Sequence, residues 1–373
     1  MTHRLPYVVP FLGLLLLGAT WGRDLPPFAA LLLALVHVGV VMTAVTHAEE
    51  IAHRVGEPFG TLVLALAVTV IEVALIVTLM VTEGDKAATL ARDTVFAAVM
   101  IVSNGIVGVC LLLAARRTHV VRFSEQGAYA LFGTVITLAT LSLVMPTFTQ
   151  SSDGPTFTSS QLAFSAVASA TVYGIFVFVQ TRRLRWMFLD TGTDLAGERE
   201  ATLAEVGLDG RFVDDEHEGP IELRPLLVSV GLLLVSLVAV VGLAKTLSPS
   251  IEDAIVWAGA PQSFVGVVIA LMVLLPESIA AFRAASRGEM QTSLNLALGS
   301  GLASIGLTIP AIAIASIWLD GEIRLGLGST GIVLLALTAA VSILTFGSGR
   351  ATVLQATHHL VLFAAFIYFA LEP

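Results

Sequence analysis

The chain has 373 residues, of which 56% are apolar and 13% charged, with a mean hydropathy of +0.90. A soluble domain carries about 45–50% apolar and about 25% charged residues, so a single water-soluble globule and a disordered chain are both excluded. The net charge of −9 argues against a nucleic-acid partner, and the one cysteine, Cys110, excludes a disulfide scaffold, which leaves a polytopic protein whose first partner is the lipid bilayer.

A helix needs about 20 apolar residues to cross the hydrocarbon core. Runs of that kind lie at roughly 6–22, 27–48, 58–82, 93–115, 126–146, 160–181, 225–244, 261–282, 293–318, 326–347 and 352–371. The first is read as a retained helix, since only His3 and Arg4 precede it and no small-x-small site follows. The stretch from Arg182 to Arg224 is rich in acids, including Asp214-Asp215-Glu216-His217-Glu218, and reads as a solvated linker without the spacing of an EF-hand. The expected fold is therefore all-α and polytopic, with about eleven transmembrane helices. Residues 1–24 form an extra N-terminal helix, 25–182 a first five-helix unit, 183–224 an acidic cytoplasmic loop and 225–373 a second five-helix unit.

The basic residues set the orientation. With the N-terminus inside, the inner face receives Arg4, Arg54, Arg116, Arg117, Arg122, Arg182, Arg183, Arg185, Arg199, Arg211, Arg224, Arg283, Arg287 and Arg350. The outer face receives Arg23, Lys86, Arg92, Lys245 and Arg324. This bias predicts a multi-pass membrane protein with a cytoplasmic N-terminus and an external C-terminus.

Five spans per unit is an odd number, so two similar units enter the membrane from opposite sides and form inverted repeats. A trace of this is legible. Glu72 and Glu277 each lie about a dozen residues into the second span of their unit, after Phe59 and Phe264 respectively. The next spans carry Ser103-Asn104-Gly105 in one unit and Asn295 with Gly299-Ser300-Gly301 in the other.

Glu72 has no other charge near it from Pro58 to Thr82. A charge at the bilayer centre costs about 2.5–3.5 kcal/mol on insertion scales, so it needs a partner, a proton or an ion. Glu277 follows Pro276, which removes a backbone donor and kinks the helix, freeing carbonyl oxygens beside the acid. Two buried carboxylates brought together cannot both stay ionised without a cation. Cation and proton then exclude one another from one site, and one Ca²⁺ displaces up to two protons. Ca²⁺ takes about six to eight oxygens, so Ser103, Asn104, Ser300, backbone carbonyls and water are candidate completions. Nothing in the spans favours a soft metal, so a transported hard cation such as Ca²⁺ or Na⁺, exchanged for H⁺, is expected, with no resident cofactor.

Several features carry two readings. The stretch Gly299 to Gly306 either packs helices closely or lines the site. Ser103 and Asn104 either join the site or bond between helices. His47, Glu50 and Glu57 follow the second span; they are a solvated helix end, with Glu50 and Arg54 sharing a face, or an access path for ions. His37 and the pair His358-His359 read as packed or hydrogen-bonded neutral imidazoles.

These residues also resemble a known family. His47-Ala-Glu-Glu, Gly56-Glu-Pro-Phe-Gly-Thr-Leu and Ala67-Val-Thr-Val-Ile-Glu72 are similar to the first core motif of bacterial calcium/sodium–proton antiporters of the ChaA kind, within the cation/Ca²⁺ exchanger superfamily. Leu275-Pro-Glu277-Ser and the run from Gln291 to Pro310 resemble the second. The resemblance implies an inverted-repeat exchanger with alternating access around a midplane site. It implies that Glu72 and Glu277 bind cation and proton by turns, supported by Thr69, Ser103, Asn104, Asn295, Gly299 and Ser300. Many members read Gly-Asn-x-x-Glu; here Thr69 and Leu274 hold the Asn positions, a departure that weakens Ca²⁺ selectivity and admits Na⁺ or K⁺. The expectation is a proton-coupled cation antiporter exporting Ca²⁺, with a Na⁺(K⁺)/H⁺ antiporter as the alternative. A cation channel ranks lower, and no Ser/His dyad or metal triad at suitable spacing supports an enzyme.

Overall fold

The computed structural model describes residues 5–23, 25–55, 69–74, 76–78, 88–189, 223–318 and 323–373. In chain order the helices are α1 (Leu5–Thr20), α2 (Pro27–Val55), α3 (Thr69–Thr78), α4 (Leu90–Thr118), α5 (Glu125–Phe148) and α6 (Ser159–Arg183). They continue with α7 (Leu223–Trp257), α8 (Phe264–Val273), α9 (Leu275–Arg287), α10 (Met290–Ala315), α11 (Ser329–Phe346) and α12 (Val353–Leu371). Among the described residues, 8 helices are long and apolar enough to cross a membrane, and 9 if α8 and α9 form one bent span. Helices α1 and α3 are apolar but shorter over the described residues. The fold is all-α and polytopic.

Two boundaries differ from the expected spans. Helix α7 runs 35 residues, far beyond the expected 225–244, because Lys245, Ser248 and Ser250 are tolerated within a helix and Pro249 does not end it. The expected single span at 261–282 is broken. Helices α8 and α9 meet at 57° around Leu274, where Pro276 in the first turn of α9 has no N–H to give to the carbonyl four residues back.

Local sequence explains where several helices begin and end. Ser124 caps α5 by accepting from the Gly127 N–H at 3.1 Å. Helices α6 and α12 open with the same capping box: Thr158 with Gln161, and Thr352 with Gln355. Helix α9 ends at Gly288, whose φ of +91° is open to glycine at little cost.

The apolar interior divides into two clusters. One is built from α1, α2, α7 and one face of α8, with Ile71 of α3 and Leu90 of α4; the other from α4, α5, α6, α9, α10, α11, α12 and the other face of α8, with Ile76 of α3. The seam between them runs through both acid-bearing segments, since Val273 belongs to the first cluster and Leu274 to the second.

Loops from the two halves of the chain also meet. Strand β1 (Val121–Arg122) pairs antiparallel with β2 (Arg350–Ala351), and Thr156 forms a bridge with Arg324. Each pair joins loops that fall on one side of the membrane when the spans alternate, and the two pairs fall on opposite sides.

Candidate cation site

The site forms at the seam. A cavity of about 330 Å³ is lined by α3, α6, the α8–α9 break and α10, and it contains both acids, Glu72 and Glu277. Glu72 is 3% exposed. The Ser304 hydroxyl of α10 lies 2.7 and 2.8 Å from its two carboxylate oxygens and donates to them. Glu277 sits in the first turn of α9, where the N-terminal partial charge of the helix favours an anion. The break at Leu274 is what turns α9, and with it Glu277, toward the cavity. The Leu274 carbonyl accepts from both the backbone N–H and the hydroxyl of Ser278, at 2.9 and 2.6 Å.

Thr69, Asn295, Gly299 and Ser300 line the same cavity. Asn295 is engaged at both ends of its amide. It donates to the Phe188 carbonyl at 2.6 Å and accepts from Gln291 at 2.9 Å. Its role here is to hold α10 against the segment after α6.

The glycine-rich run of α10 divides between its two readings. A side chain at Gly306 would meet the Tyr173 Cβ at 2.7 Å, and one at Gly301 would meet Val102 at 3.1 Å, so both permit close helix approach. Gly299 has nothing within 4 Å of that position and opens onto the cavity.

Ser103 and Asn104 lie apart from this cavity, and for Asn104 the structure favours the second of its two readings, a bond between helices. Helix α4 makes a π-helical turn over Ile101–Ile106. One inserted residue rotates a helix face by about 100°, so spacing by 3.6 residues misplaces both side chains. Asn104 instead donates to the Thr338 hydroxyl at 2.9 Å and contacts His359 Nδ1 at 3.2 Å. His359 Nε2 reaches the Thr345 hydroxyl at 3.1 Å, completing a buried network between α4, α11 and α12. His358 is exposed, unlike its neighbour. His37 is buried, with neither ring nitrogen hydrogen-bonded among the described residues.

The access path through His47 and Glu50 is also not where the cavity lies. His47 is 1% exposed, with Nε2 at 3.0 Å from the Pro6 carbonyl and its ring edge-on to Tyr7, so it fastens α2 to α1. Glu50 accepts from Arg54 at 2.8 Å, and this hydrogen bond holds its carboxyl below the ordinary value. Glu57 lies outside the described residues.

The cavity has lining residues that sequence reasoning passed over. Tyr173, Phe176, Val177 and Gln180 come from α6, and Thr292 from α10. The α6 residues carry no charge and no motif, so only the fold marks them. Ser304 stood in the glycine-rich run without a role. Among the described residues no three His, Cys, Asp or Glu side chains gather. The polar groups that the cavity offers are the two carboxylates, the hydroxyls of Thr69, Thr292, Ser300 and Ser304, and the amides of Gln180 and Asn295.

Comparison with known proteins gives a family and a fold. The family model described as sodium/calcium exchanger protein matches residues 26–182 and 228–372. The protein y4hA of Sinorhizobium fredii is 40% identical over 370 residues, covering 98% of this chain and 96% of its own. The sodium-potassium/proton antiporter ChaA of Escherichia coli is 33% identical over 367 residues, covering 96% and 94%. Among solved structures, native YfkE superposes with a TM-score of 0.69 at 15% identity over 100% of both chains. The H⁺/Ca²⁺ exchanger CAX superposes at 0.66 and 18% identity over 98% of this chain and 87% of that one. These two show a shared fold.

Proposed function

The chain belongs to the sodium/calcium exchanger protein family and is a multi-pass membrane cation antiporter; on that premise we propose that it exchanges Ca²⁺ for protons across a bacterial inner membrane, with Glu72 and Glu277 as the exchanging carboxylates. The observation that carries this reading is the presence of both acids in one cavity, each contributed by the same span of its half of the chain. A divalent cation neutralises two carboxylates, and its departure leaves an anionic pair that takes up protons. Thr69, Ser300 and Ser304 supply hydroxyl oxygens around the pair.

The inverted-repeat reading has support beyond the acids. The capping boxes of α6 and α12 stand at the start of the last helix of each half. The contacts also exchange halves, since α10 packs against α6 while α4 packs against α12. The β1–β2 pair and the Thr156–Arg324 bridge join loops of opposite halves, one pair on each face. Alternating access then consists of one cluster rocking against the other along the seam that holds the site. The cavity reaches Gln180 and Thr292 near the inner ends of α6 and α10, so with the N-terminus cytoplasmic it opens inward.

A second reading is exchange of Na⁺ or K⁺ for protons. Two observations favour it. Leu274 supplies no side-chain oxygen at the break, and a relative similar over nearly its whole length is a sodium-potassium/proton antiporter.

Inside-out vesicles with a preset ΔpH test both. Ca²⁺ added alone should release the protons, and Glu72→Gln or Glu277→Gln should reduce that release to the level of empty vesicles. Release by Na⁺ or K⁺ but not Ca²⁺ selects the second reading. Normal exchange by either Gln variant removes that acid from the mechanism.

A further inference from the structure

Helix α4 ends in Arg116-Arg117-Thr118, and α9 carries Arg283 and Arg287 in its last turns. The two helices pack together, and a cleft of about 490 Å³ opens at their ends, lined by Arg117, Ile279, Phe282, Arg283, Ser286 and Arg287. Arg117 and Arg283 are exposed, and no carboxylate of the described residues lies within salt-bridge distance of either. Arg287 differs, because it forks onto Glu289 through Nε and Nη2, each at 2.8 Å. Among the described residues, the cleft therefore keeps two guanidinium groups without a carboxylate partner.

Its other wall is apolar. Ile279 and Phe282 stand one turn apart on α9 and are half-buried. The cleft opens where a 29-residue membrane span ends, which is the depth of lipid headgroups.

We propose that this cleft binds the phosphate headgroup of an anionic phospholipid, with Arg117 and Arg283 on the phosphate and Ile279 and Phe282 against the glycerol and upper acyl chain. Planar guanidinium donors match phosphate oxygens in pairs. Basic clefts between membrane helices at the interface take anionic headgroups for this reason. A free phosphate would use the arginines and leave the apolar wall idle. Helix α9 has Glu277 in its first turn and this cleft at its last, so a headgroup held here also fixes the rod on which Glu277 stands.

The test uses the full-length protein in detergent, stripped of lipid, with bound lipid counted by native mass spectrometry. Wild type should retain phosphatidylglycerol in preference to phosphatidylcholine. R117Q/R283Q should bind phosphatidylglycerol about 25-fold more weakly, roughly fivefold per arginine. R117K/R283K, which keeps the charge but not the fork, should fall between them. Should the double Gln variant not fold, each single variant carries its own fivefold expectation. Equal phosphatidylglycerol binding by wild type and the Gln variants overturns the proposal. So does displacement of the lipid by an equal concentration of inorganic phosphate, which would make the cleft a free-phosphate site.

Discussion

The Ser304 hydroxyl sits between the two oxygens of Glu72, at 2.7 and 2.8 Å. One proton serves two acceptors, so the hydroxyl is shared across the carboxylate. Residues 232 apart in sequence are joined by it inside the seam between the two apolar clusters.

Removing that donor should weaken cation binding without removing the acid. Hydrogen bonds to charged groups contribute about 1.5–3 kcal/mol, so Ser304→Ala should raise the cation concentration for half-maximal exchange by at least about tenfold. Ser304→Thr, which keeps the hydroxyl, should stay near wild type. The measurement is a cation titration of proton release in vesicles, and equal values for wild type and the Ala variant would remove Ser304 from the site.

The approach of α10 to α6 depends on the missing side chain at position 306. A Cβ there would lie 2.7 Å from the Cβ of Tyr173, which belongs to the main chain's immediate neighbourhood and cannot swing aside. Gly306→Ala should therefore destabilise the α6–α10 contact by about 1–3 kcal/mol, the usual cost of overpacking. A lowered Tm in detergent checks it. Gly299→Ala, where nothing lies within 4 Å, should leave the Tm unchanged and serves as the control.

The Asn104 network should behave as a structural tie. Asn104→Ala leaves Thr338 and His359 without a shared partner in a buried setting, at a cost of about 1–3 kcal/mol. The double variant with His359→Ala should be less destabilised than the sum of the two single changes, because the pair acts through one network. Additive losses would show that the two side chains do not depend on each other.

Glu50 gives a pH dependence with a defined sign. Its carboxyl is held below the ordinary value of 4.5 by the hydrogen bond from Arg54. A carboxyl lowered on folding contributes stability that is fully present above its unfolded value and lost as pH falls through the folded one. Glu50→Gln should therefore lower the Tm slightly at pH 7 and not at all once the pH is below the folded value. Both side chains are about 30% exposed, so the effect should stay under about 0.5 kcal/mol. A loss that grows as the pH falls would reverse the assignment.

The sequence by itself determined the membrane class, the acids and their places in the two halves. Long apolar runs and lone charges within them are one-dimensional signals, because the cost of burying a charge in hydrocarbon does not depend on what packs beside it. The break at Pro276 was legible for a similar reason, since a missing N–H is a property of one residue. Which way a polar side chain faces was not legible. Ser103 and Asn104 turned away from the cavity because a π turn added a residue to α4, and such a turn is decided by packing across the bundle. His47 looked like the start of a path and became a fastening between α1 and α2. Tyr173, Phe176 and Gln180 carry no sequence signal at all, and they line the cavity because α6 lies against α10, where Gly306 lets α10 close on Tyr173. Tertiary structure decided these points because they depend on contacts between segments far apart in the chain, which periodicity and composition cannot encode.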